Sequence, residues 1–170
     1  MADEKRPTEL LTEEHKHVLQ KLDALEEILG NLDRKEEISA KLIEAGSFFN
    51  TDFWVHFEKE EHALFPEIEE FIPRESGPTG MMLIEHEELR NTNAENQKAI
   101  DAYLRDADSP QAKGVLQKYG THFVELLRNH IDKEDNILFR MADMHFDQTQ
   151  RDKVLKLFDK IENSGEQDND

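Results

Sequence analysis

Four histidines and two glutamates recur at matching places in the two halves of the chain. His56–Ile68 has the sequence HFEKEEHALFPEI, and His130–Ala142 has the sequence HIDKEDNILFRMA. In both, a glutamate follows the first histidine by four residues. A Glu-His pair precedes each stretch, at Glu14-His15 and at Glu85-His86. This repetition indicates that the chain contains two copies of one helical hairpin.

Imidazole nitrogens and carboxylate oxygens are the ligands with which proteins hold iron and manganese. A single His-x-x-x-Glu carries little information here, because 39 of the 170 residues are acidic. The occurrence of all six polar residues at matching places carries more information, since unpaired carboxylates inside a helical bundle would each cost several kcal/mol. We therefore predict a metal site whose ligands are His15, His56, Glu60, His86, His130 and Glu134.

Six ligands exceed what a single tetrahedral zinc ion uses, so the pattern favours two ions. Each ion would take two histidines, and both glutamates would bridge. Imidazole nitrogens with bridging carboxylates suit iron or manganese, and zinc is a further possibility. Asp135 is a weaker candidate, because it would replace Glu134 only in a locally distorted helix. The remaining histidines point away from the apolar stripes and are expected outside the ligand set: His17, His62, His122 and His145.

The elements that would position these residues follow from helical periodicity. Apolar residues recur every three or four positions in four long segments, and the six predicted ligands fall on the same stripes. The segments are Leu11–Leu29, Ile38–Leu64, Thr79–Asp106 and Leu116–Met141. The last stripe is predicted to bury Ile137 and Met141. All six ligands are therefore expected to point inward.

Residues with special backbone preferences mark where the helices begin and end. Gly30 is expected as the C-cap of the first helix, and Ser109 followed by Pro110 as the start of the fourth. Pro66 is predicted to bend the second helix just beyond Glu60, because proline lacks an N–H group. Asp147 with Gln150 forms a predicted capping box that opens a short C-terminal helix.

Length and composition predict one all-α domain, an antiparallel up-and-down four-helix bundle with a short C-terminal helix. Glycine and proline total only 12 residues, which favours long helices over a strand-rich fold. The bundle is expected to cover residues 8–162. Residues 163–170 are expected to be a disordered tail.

The positions of the histidines along the helices test whether they can meet. His86 lies 23 residues before Ser109 and His130 lies 21 residues after it, so the two are roughly level. In the first hairpin the corresponding distances about Gly30 are 15 and 26 residues. Part of the segment 31–39 is therefore predicted to be loop.

Composition also excludes several classes of protein. The net charge of -18 disfavours binding to nucleic acid or to an anionic membrane, both of which are recognised through Lys and Arg. The absence of cysteine excludes disulfides, iron-sulfur clusters and thiolate zinc sites. No apolar run is long enough to span a membrane and the first residues are polar, so a cytoplasmic protein is expected.

The stretches EH, HFEKEEHALFP, PTGMMLIEHEELR and HIDKEDNILF together resemble the hemerythrin-like, or HHE cation-binding, family from Thr8 to Met141. The resemblance implies a four-helix bundle around a non-haem di-iron centre. It also implies that the four histidines are terminal ligands and that Glu60 and Glu134 are bridges. These are the six residues that their spacing had already indicated.

The resemblance further implies a protein that binds or senses dioxygen at an open iron position. The alternative is a di-iron protein that reacts with peroxide or nitric oxide, or that repairs damaged iron centres. In each case the partner would be a small molecule, and whether the protein is an enzyme is left open. Oxygen-carrying hemerythrins have a fifth histidine four residues before the third, where this chain has Met82. The cysteine-containing segment of the repair proteins is also missing.

Overall fold

Helices are the regular secondary structure of residues 4–167, the part of the chain that the computed structural model describes, with side chains to residue 164. In chain order they are α1 (Pro7–Leu29), α2 (Lys35–Asn50), α3 (Trp54–Lys59), the π-helix π1 (Glu60–Leu64), α4 (Phe65–Ile68), α5 (Pro78–Arg105), α6 (Pro110–Lys133), the π-helix π2 (Glu134–Leu138), α7 (Phe139–His145) and α8 (Gln148–Gln167). These residues contain no strand, so the prediction of an all-helical protein is confirmed.

Four helices contact one another in a closed ring. α1 packs against α2 and α6, and α5 packs against the same two helices. α8 lies against α3, π1 and α1. The ring encloses the apolar side chains of α1, α2, α5 and α6, which gives each helix a buried face and a solvated one.

The buried apolar residues form two clusters with a polar layer between them. The larger cluster includes Val18, Leu22, Phe49, Phe57, Leu89, Phe123 and Ile131. The smaller cluster includes Leu11, Leu64, Met82, Leu138, Phe139 and Phe158. On α1, His15 lies between Leu11 of the smaller cluster and Val18 of the larger one. The other predicted ligands lie at the same junction on their own helices.

The predicted helix boundaries are found at the marked residues. Gly30 is the C-cap of α1, and its N–H contacts the carbonyls of the last turn. The Ser109 hydroxyl accepts a hydrogen bond from the backbone N–H of Ala112 at 3.1 Å, which caps α6. Asp147 and Gln150 exchange side-chain to backbone hydrogen bonds of 3.0 and 2.9 Å, the predicted capping box.

The second predicted helix is interrupted, which the apolar pattern did not indicate. α2 ends at Asn50 and α3 begins at Trp54. The break frees the backbone carbonyl of Phe49, which accepts hydrogen bonds from the Trp54 indole and the Asn93 amide, both at 2.9 Å. The Thr51 hydroxyl also donates to a backbone carbonyl of α2, an interaction that competes with continued helix. Side chains from outside α2 therefore stabilise the break.

The prediction that Ile137 faces inward was wrong, and Met141 is only partly buried. Ile137 is 56% exposed, and the buried positions after Glu134 are Leu138, Phe139 and Ala142. The cause is π2, whose wider turn holds one extra residue and so moves the buried stripe along by one position.

The bend predicted beyond Glu60 takes the form of π1, in which the Phe65 N–H bonds to the Glu60 carbonyl. In π2 the Phe139 N–H bonds to the Glu134 carbonyl in the same way. No proline lies in or directly after π2. A proline such as Pro66 is therefore not needed for this geometry.

The C-terminal helix is longer than predicted. α8 continues to Gln167, so part of the segment expected as a disordered tail is helical, with a hydrogen bond from the Ser164 hydroxyl to the Lys160 carbonyl. Residues 168–170 of the predicted tail lie outside the described residues, and the domain limits at 8 and 162 stay a prediction. None of the described helices is both long enough and apolar enough to cross a membrane.

Candidate metal centre

The structure brings all six predicted ligands together in the polar layer. Each has at most 5% of its surface exposed. They form two overlapping groups, and within each group the candidate ligand atoms lie within 4.8 Å of one another. The groups are His15, His56, Glu60 and Glu134, and His86, His130, Glu60 and Glu134. Two cation positions would therefore share the two glutamates.

The histidines face one another in pairs. His15 Nε2 lies 2.9 Å from His56 Nε2, and His86 Nε2 lies 3.2 Å from His130 Nε2. Two ligands at right angles around an ion, each about 2.1 Å from it, are about 3 Å apart. The spacing of each pair therefore suits two ligands of one ion.

The two glutamates each reach both histidine pairs. Glu60 Oε1 lies 3.1 Å from His56 Nε2 and 3.7 Å from His86 Nε2. Glu134 Oε1 lies 3.0 Å from His130 Nε2 and 3.5 Å from His15 Nε2. The first contact in each case joins residues four apart on one helix, and the second crosses to the other hairpin. This is the placement expected of carboxylates between two cations.

The carboxylates also show that the residues fit a cation. All four side-chain oxygens of Glu60 and Glu134 are buried, and none accepts a hydrogen bond from the described residues. Buried carboxylates that have only neighbouring imidazoles to compensate them are unfavourable, whereas a cation compensates them and uses the imidazole lone pairs as well. Nitrogen and carboxylate donors in this number suit iron or manganese.

A second set of carboxylates contacts the outward-facing nitrogens of the histidines. The pairs are Glu14 with His56 (2.7 Å), Asp135 with His15 (2.7 Å), Glu61 with His86 (3.2 Å) and Glu85 with His130 (3.5 Å). The first three are hydrogen bonds in which Nδ1–H donates, and the fourth is too long for one. Donation from Nδ1 leaves the Nε2 lone pair facing the pocket, as a metal ligand requires.

Basic side chains hold three of these four outer carboxylates. Lys59 donates to Glu14 and also to Glu162 of α8, although Lys59 itself is only 5% exposed. Arg90 contacts both oxygens of Glu61, at 2.9 and 2.6 Å. Lys133 lies 3.2 Å from both oxygens of Glu85.

The charges of the centre shift its proton equilibria in opposite directions. Burial alone would lower the pKa of His56, but the nearby carboxylates outweigh it and raise the pKa to about 9. Burial dominates at His15 and His130 and lowers the pKa of both. Burial would raise the pKa of Glu61, but hydrogen bonds from His86 and Arg90 outweigh it and hold the pKa at about 2. Glu61 is therefore a carboxylate at neutral pH.

Aromatic rings cover the imidazoles. Phe57 stacks on His86 with ring centroids 3.7 Å apart, and Phe139 stacks on His15 at 5.4 Å. Of the side chains expected to wall the pocket, Phe53 and Phe57 lie beside histidine rings and Leu64 is buried next to the site. Trp54 packs on Phe53 and Phe57, and Phe123 packs on Phe49, one layer farther out.

The structure distinguishes Glu134 from Asp135. Glu134 points between the histidine pairs, and Asp135 hydrogen-bonds to the outer nitrogen of His15. Met82, at the position of the missing fifth histidine, is 4% exposed and belongs to the smaller apolar cluster. The four other histidines are exposed and lie outside both ligand groups: His17, His62, His122 and His145.

Sequence reasoning did not assign the outer carboxylates Glu14, Glu61 and Glu85, although the repeat contained the signal. Glu14 and Glu85 directly precede matching histidines, and Glu61 and Asp135 directly follow matching glutamates. Lysines three residues after His56 and His130 repeat as well. Repeated polar residues next to ligands would have identified this outer layer.

Comparison with known families agrees with this geometry. The family model of the hemerythrin HHE cation binding domain matches residues 6–142. This range includes all six predicted ligands and the four outer carboxylates. No curated protein sequence matches the chain.

Proposed function

The chain belongs to the hemerythrin HHE cation-binding domain family, and on that premise we propose that it holds two iron ions to bind or sense dioxygen or a related small ligand. One observation carries the proposal. The four oxygens of Glu60 and Glu134 are buried without hydrogen-bond donors and lie between two pairs of imidazoles. The matched family is one of cation-binding domains, and the nitrogen and carboxylate donors suit iron.

We also propose that the helices form an antiparallel up-and-down bundle of four, followed by α8. The closed ring of contacts among α1, α2, α5 and α6 supports this arrangement. So does the level of the histidines, because His86 meets His130 across the turn at Ser109. The second member of such a bundle is α2 continued by α3 and π1, and the fourth is α6 continued by π2, so the six ligands reach one layer of the core.

The side chains have separate tasks in this proposal. Glu60 and Glu134 would bridge the two ions, and two histidines would hold each ion from the sides. The outer carboxylates orient the imidazoles, and the stacked rings of Phe57 and Phe139 keep water out of the pocket. When bound, a pair of ferrous ions would supply an open coordination position and two electrons for a small oxidising ligand.

A second candidate function is reaction with peroxide or nitric oxide, or the repair of iron centres. The buried Met82 supports it, because this position supplies an apolar side chain where oxygen carriers have a fifth histidine. Four imidazoles for two ions would leave open positions on both. More open positions favour turnover over reversible binding.

The experiment begins with metal analysis of protein purified without added metal, for which we expect two iron ions per chain. The reduced protein is then exposed to dioxygen, peroxide and nitric oxide, and its visible spectrum is followed. A spectral change that reverses when dioxygen is removed supports binding or sensing. Steady consumption of peroxide or nitric oxide supports the second function.

Matched variants connect the result to the site. His56→Gln removes a predicted ligand, and His62→Gln changes an exposed histidine six residues farther along the chain. We expect His56→Gln to lose metal and spectral response, and His62→Gln to keep both. Wild-type protein that binds no metal, or equal metal content in the two variants, would overturn the proposal.

A further inference from the structure

The two proposed cation positions have different surroundings. The outer carboxylates at His56 and His15 have side chains that are 35% and 27% exposed, for Glu14 and Asp135 respectively. Those at His86 and His130 are 14% and 10% exposed, for Glu61 and Glu85. The half of the centre formed by His15 and His56 is therefore closer to solvent.

Asp135 and Glu61 occupy equivalent places in the repeat but are held differently. Each directly follows a bridging glutamate and bonds to a histidine of α1 or α5. Glu61 is held by Arg90, whose guanidinium also lies 5.8 Å from the Phe57 ring. Among the described residues, Asp135 contacts no lysine or arginine within 4.0 Å. The Thr12 hydroxyl also donates a hydrogen bond to Asp135, at 3.3 Å.

The position equivalent to Arg90 in the first half of the repeat is occupied by an apolar residue. Arg90 lies four residues after His86, and the residue four after His15 is Leu19. Leu19 packs against the larger apolar cluster. The corner of the centre at His15 therefore lacks the ion pair that closes the corner at His86.

A surface cleft reaches this open corner. It has a volume of about 510 Å³ and lies between the start of α1 and the segment formed by π2 and α7. Thr12, Asp135 and Phe139 line it, and the last two directly contact His15. Its charged lining is balanced, with four basic side chains (Lys5, Arg6, Lys16 and Arg140) and four acidic ones (Glu9, Glu13, Asp135 and Asp143). A single layer of side chains therefore separates the cleft from a predicted ligand.

We propose that Asp135 is a positioning residue that controls exchange of the cation held by His15 and His56, and that this cation enters and leaves through the cleft. The cation held by His86 and His130 is then the slowly exchanging one. The inference rests on the proposed two-ion centre. It goes beyond that proposal because it distinguishes the two ions and assigns an entry route to one.

Release of iron to an excess of a chromophoric ferrous chelator tests this in the reduced, iron-loaded protein without oxygen. We expect two phases of equal amplitude, each corresponding to one ion per chain. Asp135→Asn keeps the size of the side chain but removes its charge, and should speed the fast phase about 10-fold or more. Glu61→Gln, the matched change at the other corner, should speed the slow phase instead.

Two further measurements separate positioning from general loss of structure. The thermal unfolding midpoints of the metal-free variants should match that of the wild type, because a positioning residue does not hold the fold together. A variant that loosened the whole structure would instead lower the midpoint and speed both release phases. Phe139→Leu thins the wall between His15 and the cleft but keeps the carboxylate, and it should also speed the fast phase. This second variant tests the route even if Asp135→Asn folds poorly.

The outcomes distinguish this inference from the proposed function. Wild-type protein that binds fewer than two ions contradicts the two-ion centre itself. Two bound ions that leave in a single phase overturn the inference alone. It is equally overturned if Asp135→Asn changes neither phase, or changes both phases by the same factor.

Discussion

Each imidazole of the centre lies between two carboxylates, one inside the pocket and one outside. At His56 these are Glu60 and Glu14, with contacts of 3.1 and 2.7 Å. In the proposed centre the inner carboxylate would offer oxygen to a cation, and the outer one would fix the orientation of the ring. The acids that flank the ligands in the sequence therefore have a defined task, although most acidic residues of this chain are solvated.

Glu134→Gln should lower metal content and remove the stabilisation that metal provides. The change removes a buried negative charge and one oxygen donor that reaches both histidine pairs. A ligand whose free concentration is 100 times its Kd stabilises a fold by about 2.7 kcal/mol. We expect metal to raise the thermal unfolding midpoint of the wild type. The midpoint of the variant should be the same with and without metal.

Glu125→Gln is the control for this prediction. Glu125 lies on the same helix as His130 but is exposed. Its metal content and unfolding midpoint should equal those of the wild type. A Glu134→Gln protein with wild-type metal content would show that Glu134 is not a ligand.

Cation affinity should rise between pH 6.5 and pH 9. The pKa of His56 in the metal-free protein is raised to about 9, because Glu60 and Glu14 outweigh the opposing effect of burial. A cation must displace this proton, so binding releases it and becomes tighter as the pH approaches the pKa. The same shift means that protonated His56 stabilises the metal-free fold at low pH, and this contribution is lost as the pH rises towards 9.

Competition titrations with Mn²⁺ at several pH values measure the effect. At most a tenfold change in affinity per pH unit is expected for one displaced proton. His17→Gln, which changes an exposed histidine, should leave the slope unchanged. An affinity that is constant over this range would contradict the raised pKa.

The π-helices are the elements that give consecutive acids different tasks. π1 begins at Glu60 and π2 begins at Glu134, the two predicted bridges. A π turn holds more residues than an α turn, so it changes the directions of the side chains that follow. In both cases the first acid points into the pocket and the second reaches a histidine on another helix.

Deletion of Asn136 should convert π2 to ordinary α-helix. Asn136 is exposed, and its removal returns the buried residues of α7 to normal α-helical spacing from Glu134. We expect a folded protein whose Asp135 no longer meets His15. The cation affinity should fall about 10-fold to 100-fold, as it does when an outer hydrogen bond to a metal ligand is lost.

Circular dichroism and a metal titration test this prediction. Deletion of Glu125 is the control, because it removes a residue from regular α-helix and turns everything beyond it by about 100° relative to the first part of α6. That variant should not fold. If deletion of Asn136 leaves affinity unchanged, the π-helix is not needed to place the outer carboxylate.

At the scale of the whole molecule, the centre depends on how closely the helices approach. A polar layer is stable between two apolar clusters only if every helix presents its ligand at the same level. α1 and α6 approach each other closely at Gly120, where an added Cβ atom would lie 2.8 Å from the methyl groups of Leu29. Gly114, on the same helix, has open space around it.

The two glycines should respond differently to alanine. Gly114→Ala should raise the free energy of unfolding by about 0.5–1 kcal/mol, since alanine favours helix and meets no other atom. Gly120→Ala gains the same propensity but forces the buried Leu29 to move, which typically costs about 1–3 kcal/mol. Urea unfolding of the metal-free proteins measures both. Equal stabilisation by the two changes would contradict a close contact between α1 and α6.

The sequence determined the helical fold, the helix caps and which six polar side chains meet in the core. Periodicity is local information, and the repeat of His56–Glu60 as His130–Glu134 restricts which residues can share a layer. The resemblance to the cation-binding family was likewise present in the motifs and is confirmed by the matched range. These features depend on neighbours three or four residues away, or on the repeat itself.

The break before Trp54, the π-helices and the contacts of the outer carboxylates required the tertiary structure. The carbonyl freed at Phe49 is stabilised by Asn93, which lies on another helix. The direction of Asp135 depends on a π turn and on His15, 120 residues away in the sequence. The repeat marks the outer carboxylates as a matching set, but the energy of each feature comes from groups brought together only by folding, so a local pattern does not determine which histidine each one contacts.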